Sequence, residues 1–89
     1  MQKAYRVIDE AGLHARPASL LVGAANKFEE EINLLFAEKT INCKSIMSLM
    51  SAGIMHGSEV IIEVISSNPE AIYQAIETVI VKEKVVEVV

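Results

Sequence analysis

The spacing of apolar side chains most constrains the fold of this chain, because it changes period several times within 89 residues. Within Glu31–Phe36, the apolar residues Ile32, Leu34 and Phe36 fall on one face at a period of two, as a half-buried strand requires. Residues Leu20–Phe28 instead repeat at helical spacing. The runs are short, and no Pro-rich, Gly-rich or low-complexity tract separates them. We therefore expect residues 1–89 to form a single domain around one core.

The periodic runs predict the order β-α-β-β-α-β-α. The expected elements are a strand Ala4–Ile8, a helix Arg16–Phe28, a hairpin of Glu31–Phe36 with Thr40–Cys43, a short helix Ile46–Ala52 capped by Ser45, a strand Val60–Ile65 and a helix that Asn68 caps before Pro69. This order favours an α+β fold with a mostly antiparallel sheet, helices on one face and solvent on the other. The β-branched tail Val85–Val89 leaves open whether it continues the last helix, frays or pairs with a strand.

Composition and charge exclude several classes of protein. Twelve acidic and eight basic side chains give a net charge of −4, which argues against nucleic acid and anionic membranes as partners. A single cysteine, Cys43, excludes an internal disulfide. No uncharged run reaches the roughly 18 residues of a membrane span, and the N-terminus has no signal-peptide pattern, so we expect a cytoplasmic protein. No ligand spacing predicts a metal site, and no cofactor is implied.

The stretch Gly12–Ser19 places His14 just before a helix and Arg16 at its start. The first N–H groups of a helix lack partners and bind anions, so the amides around Arg16 and Ala18 and the Arg16 guanidinium predict a phosphate-binding site. An imidazole held there can take a phosphoryl group on a ring nitrogen. The alternative from the residues alone is that His14 only caps the helix or hydrogen-bonds the loop.

Two sequence blocks resemble the histidine-containing phosphocarrier (HPr) family. Gly12-Leu13-His14-Ala15-Arg16-Pro17-Ala18 is similar to its active-site motif, and Asn42–Ser51 is similar to the segment around its regulatory serine in low-GC Gram-positive bacteria. The resemblance extends to about Lys82. It implies an open-faced β-sandwich, with a four-stranded antiparallel sheet and three helices on one face. The related catabolite-repression paralogue lacks the active-site histidine, so the presence of His14 argues against that assignment.

The resemblance also implies a function. Members of the family carry a phosphoryl group from enzyme I to the IIA domains of sugar permeases, and they are carriers rather than enzymes. By position, His14 would be phosphorylated on Nδ1 and Arg16 would handle the phosphate. Ser45 would be the target of HPr kinase/phosphorylase, while it also serves as a helix cap.

A partner-binding surface is predicted beside the active-site loop. Its candidates are Leu20, Ile46, Met47 and Met50, because adaptable methionines on short helices suit several partners. The alternative is that all four belong to the core. We favour partner contact for Met47 and Met50, and a core position for Leu21.

Two other functions remain as alternatives. The first is an HPr-like regulatory module that docks a catabolite-control transcription factor with little flux through His14. The second is a ferredoxin-like domain that binds a small molecule or RNA, since that fold shares the β-α-β-β-α-β order. The acidic charge and the absence of strand aromatics in the pattern typical of RNA-binding sheets weigh against this alternative.

Overall fold

A computed structural model describes residues 1–89 and contains one antiparallel sheet covered on one face by three helices. The elements are β1 (Gln2–Val7), α1 (Ala15–Ala25), β2 (Glu31–Phe36), β3 (Lys39–Asn42), α2 (Ile46–Ser51), β4 (Glu59–Ile65), α3 (Pro69–Ile80) and β5 (Val86–Val88). The strand order is β3-β2-β4-β1-β5. The predicted open-faced sandwich and the order of its first seven elements are confirmed.

Strand alternation produces the two faces of the sheet. Tyr5 lies opposite Val60, and Leu34 opposite Ile62, so these four buried side chains project toward the helices. The helices contribute Leu21, Leu49 and Ile76 to the same core. The other face carries side chains such as Arg6, Glu59 and Glu87, which form surface ion pairs.

The sheet has five strands, which corrects the expected four. Beyond α3, Lys84 adopts a left-handed conformation (φ 59°) and its N–H donates to the carbonyl of Val81. The N–H of Val85 reaches back to the carbonyl of Ile80 at 2.9 Å, so the pair of bonds forms a Schellman motif that ends the helical turns. The chain then runs antiparallel to β1, with Val86 opposite Val7. The tail therefore pairs with a strand, the third of the three outcomes left open.

The β2–β3 hairpin turns on Ala37 and Glu38, both with positive φ (51° and 65°). Two consecutive left-handed residues are the pattern of a type I′ turn, which suits the twist of paired strands but favours Asn and Gly. The predicted hairpin is thus correct. Its tight turn holds Ala37 and Glu38 in a left-handed conformation that is unfavourable for residues with a Cβ.

The predicted helix caps have different outcomes. Ser45 caps α2, because its Oγ accepts a hydrogen bond from the N–H of Ser48 at 3.3 Å. Asn68 occupies the N-cap position of α3, but its side chain makes no capping bond.

The longest helix has 12 residues, and none combines the length and apolarity that crossing a bilayer needs.

A polar cluster closes the core between β1 and α3. The hydroxyl of the buried Tyr5 donates to Glu77 Oε2 at 2.6 Å, and Lys3 Nζ lies 2.5 Å from the same oxygen. Burial, followed by the hydrogen bond and charge of Glu77, raises the pKa of Tyr5. Burial alone would raise the pKa of Glu77 too, but the hydrogen bonds from Lys3 and Tyr5 and the Lys3 charge hold it below its usual value.

Candidate functional site

The loop between β1 and α1 packs against the segment that follows α2, which fixes its position. The N–H of Leu13 donates to the carbonyl of Ile54 at 3.0 Å, and the Leu13 side chain is buried. Gly12 has φ 72°, and a Cβ there would lie 2.3 Å from the same carbonyl oxygen. Only glycine allows the backbone to come this close to Ile54. The close contact therefore fixes where the loop leads into α1.

His14 is the N-cap residue of α1, and its side chain points outward. Its backbone is extended and its imidazole makes no capping bond. The ring is 42% exposed, and Nε2 lies 3.1 Å from Asp9 Oδ1. The Nδ1 atom makes no hydrogen bond within the chain. The local role of the side chain is therefore a contact with the loop rather than a helix cap.

The first turn of α1 offers free amides, but at positions that differ from those expected. The N–H of Ala18 donates to the carbonyl of His14 at 3.0 Å, so it is engaged within the helix. Pro17 has no N–H, which leaves the amides of Ala15 and Arg16 without a backbone acceptor. The expectation that Ala18 contributes a phosphate-binding amide is corrected accordingly, because the first helical hydrogen bond already uses it.

Asp9 links the loop, His14 and the C-terminal tail. Its Oδ1 also accepts the N–H of Ala11 at 3.0 Å, and its own N–H donates to the carbonyl of Val85 at 3.3 Å. The hydrogen bond from Ala11 contributes most to lowering the pKa of Asp9. Desolvation opposes it, whereas the contact with His14 and the charge of Arg16 add to it. Asp9 is therefore a carboxylate at neutral pH.

Arg16 forms an ion pair with Glu83, which lies in the turn after α3. Arg16 Nη2 is 2.9 Å from Glu83 Oε1, and the two side chains are 55% and 43% exposed. Such an exposed pair is worth no more than about 1 kcal/mol, so the guanidinium is easily released to another anion. A phosphate oxygen can take the place of this carboxylate oxygen, and the guanidinium fork is suited to binding two phosphate oxygens at once.

The predicted partner surface is only partly exposed. Met47 and Met50 are 76% and 45% exposed, whereas Leu20 and Ile46 are half-buried and pack against the core. Leu21 is buried, as expected. Met55 is not among the predicted partner-contact residues. Its side chain is 69% exposed, and its Cα lies close to Gly12.

Sequence reasoning named His14 and Arg16 but missed the two carboxylates that hold them, Asp9 and Glu83. The sequence pattern predicts only that Asp9 lies in the turn after the first strand. Its position five residues before His14 in a tight loop was the available signal. Glu83 is distant in sequence, and no local pattern pointed to it.

The chain is similar to proteins of known function along most of its length. Residues 1–82 match the family described as the PTS HPr component phosphorylation site. The histidine-containing phosphocarrier protein of a Mycoplasma is 34% identical with a TM-score of 0.89, and the match covers 97% of this chain and 98% of that one. The phosphocarrier protein HPr from Bacillus anthracis is 40% identical with a TM-score of 0.77, over 88% of this chain and 93% of that one.

A third relative is the catabolite repression containing protein Crh of Bacillus subtilis, solved as a swapped dimer. It is 35% identical with a TM-score of 0.69, and the match covers 86% of this chain and 87% of that one. The family match spans nearly the whole chain and includes Asp9, His14 and Arg16, whereas Glu83 and Val85 lie just beyond it. This chain belongs to the HPr family of the phosphotransferase system, whose members are phosphocarrier proteins and not enzymes.

Proposed function

We propose that this chain accepts a phosphoryl group on Nδ1 of His14 from phosphorylated enzyme I and passes it to IIA domains of sugar permeases in the cytoplasm. The observation that carries the proposal is the exposed imidazole of His14, whose Nε2 is bound to Asp9 while Nδ1 has no partner in the chain. An exposed nucleophile suits a carrier that must reach the active sites of larger proteins.

The transfer step follows from this geometry. The Nδ1 lone pair forms the new N–P bond, while the bond from phosphorus to the donor breaks and its electron pair leaves with the donor. The negative charge of the transferred group then lies beside the start of α1, where the amides of Ala15 and Arg16 are free. Arg16 releases Glu83 and turns to the phosphoryl oxygens. Transfer to an acceptor histidine reverses the same steps.

Incubation with enzyme I and phosphoenolpyruvate tests the proposal. Wild-type chain and His56→Ala should gain an acid-labile phosphate, and His14→Ala should gain none. His56 is a matched control because it is an exposed histidine in a turn, away from any helix start. Absence of label on the wild type, or equal labelling of His14→Ala, contradicts the carrier function.

Phosphorylation of Ser45 by HPr kinase/phosphorylase is the proposed regulation. Ser45 is half-buried at the start of α2, directly before Ile46 and the exposed Met47. A phosphate there adds about two negative charges at neutral pH beside apolar contacts of the docking surface. The phosphorylated serine would repel acidic partners of the carrier and would offer a docking group to a catabolite-control transcription factor.

The variant Ser45→Asp separates docking from folding, since aspartate is also a good N-cap. We expect slower phosphorylation of His14 in Ser45→Asp and normal rates in Ser67→Asp, an exposed serine at the other end of β4. Equal rates in both variants contradict regulation through repulsion at the docking surface.

A further inference from the structure

Asp9 and His14 form a carboxylate–imidazole pair on the side of the ring away from Nδ1. Asp9 Oδ1 lies 3.1 Å from His14 Nε2, within hydrogen-bond distance. A carboxylate only accepts, so the bond requires a proton on Nε2. In a neutral imidazole the other nitrogen then carries the lone pair, which makes Nδ1 the nucleophile.

Asp9 is itself held in place by bonds from two directions. Its Oδ1 accepts the N–H of Ala11, its carbonyl accepts the N–H of Gly12 at 2.9 Å, and its N–H donates to Val85 in the tail. The other charged groups around this pair are Arg16, whose charge acts on Asp9, and Glu83, which is bound to Arg16. The carboxylate is therefore oriented by the fold, and it is the acidic group that contacts the ring.

We infer that Asp9 is a positioning residue for phosphoryl transfer, which fixes the Nε2–H tautomer of His14 and stabilises the positive charge that the ring gains as Nδ1 bonds to phosphorus. The balance of the step supports this role: the ring keeps its Nε2 proton while Nδ1 gives up its lone pair, so the imidazole becomes cationic next to a carboxylate. The inference rests on the proposed function, and it adds a residue that neither family motif contains.

The main competing role for Asp9 is purely structural, because its bond to Ala11 is an Asx-turn that shapes the loop. The variant Asp9→Asn separates the two roles. Its amide oxygen still accepts the N–H of Ala11, but the negative charge facing the ring is gone. Asp9→Ala removes both. Glu10→Gln is the charge control, since Glu10 is exposed in the same loop and contacts neither His14 nor Arg16.

Two readouts test the inference. Nitrogen-15 NMR of the neutral His14 ring in the unphosphorylated chain should place the proton on Nε2, and Asp9→Ala should reduce that preference. Phosphorylation by enzyme I should slow about 10-fold in Asp9→Asn, with the backbone signals of Ala11 and Gly12 unchanged. This loss is far smaller than for the buried aspartate of a protease triad, because the contact is open to water. Glu10→Gln should react at the wild-type rate.

The outcomes distinguish the inference from the proposed function. A proton on Nδ1 in the wild type, or an Asp9→Asn rate equal to that of Glu10→Gln, overturns the role of Asp9 while leaving the carrier function intact. A wild-type chain that accepts no phosphate overturns the carrier function, and the tautomer measurement still decides whether Asp9 orients the ring.

Discussion

Replacement of Gly12 by alanine should destabilise the fold more than any other glycine substitution in the chain. A Cβ at this position would lie 2.3 Å from the carbonyl oxygen of Ile54 and 2.8 Å from Cα of Met55, both backbone atoms. The loop must move away, which sacrifices the hydrogen bond from Leu13 to Ile54 at a cost of about 1 kcal/mol. The left-handed backbone adds about 1 kcal/mol, and partial exposure of Leu13 about 1 kcal/mol more. The expected loss is therefore about 3 kcal/mol.

Gly53 is a matched control for this substitution. Its φ is 73°, nearly the same as at Gly12, but a Cβ there meets nothing within 4 Å. Gly53→Ala should thus cost only the conformational part, about 1 kcal/mol. Urea unfolding of both variants, extrapolated to water, gives the difference directly. If Gly12→Ala unfolds with the same free energy as Gly53→Ala, the close contact with Ile54 does not fix the loop.

Three further predictions concern stability. Glu38→Gly and Lys84→Gly should each stabilise by about 1 kcal/mol, because both replace a left-handed residue that is not glycine; a lowered unfolding midpoint in either would contradict the turn assignments. Ser45→Ala should cost about 1 kcal/mol through loss of the bond to Ser48, and a neutral result would mean that α2 does not need its cap. The pKa of Glu77 is lower in the folded chain than in the unfolded chain, so the unfolded chain takes up the proton first and stability should fall as the pH drops below the ordinary carboxyl value of 4.5. Glu77→Gln should flatten this part of the pH–stability curve measured by urea unfolding. An unchanged slope would refute the role of Lys3 and Tyr5 in stabilising the Glu77 carboxylate.

Sequence patterns predict most of the helices and strands, because side-chain periodicity and capping act between residues that are close in the chain. The period-two run at Glu31–Phe36 could bury one face only as a strand, and the structure has a strand with those bounds. Ser45 precedes a short apolar helix and caps it. The first helix ends at Ala25 and not at Phe28, because the N–H groups of Lys27 and Phe28 donate to carbonyls three residues back instead of four.

Contacts between distant segments account for what the sequence did not predict. The fifth strand depends on Lys84 adopting a left-handed conformation, which residue preferences disfavour for lysine. The carbonyl of Val85 in the tail accepts a hydrogen bond from the N–H of Asp9. The turn before the tail places Glu83 beside Arg16. These pairings join residues that are far apart in the chain, so no local pattern encodes them. The two carboxylates at the site became visible only once the tail had a position.

The position of the transferred phosphate on His14 tests the central claim most directly. Phosphorus-31 NMR of the nitrogen-15-labelled chain, after reaction with enzyme I and phosphoenolpyruvate, resolves which ring nitrogen is bonded to phosphorus. We predict a single N–P bond at Nδ1 of His14, with Nε2 still facing Asp9 and His56 unmodified. A phosphoryl group on Nε2 of His14, or on His56, would contradict the account.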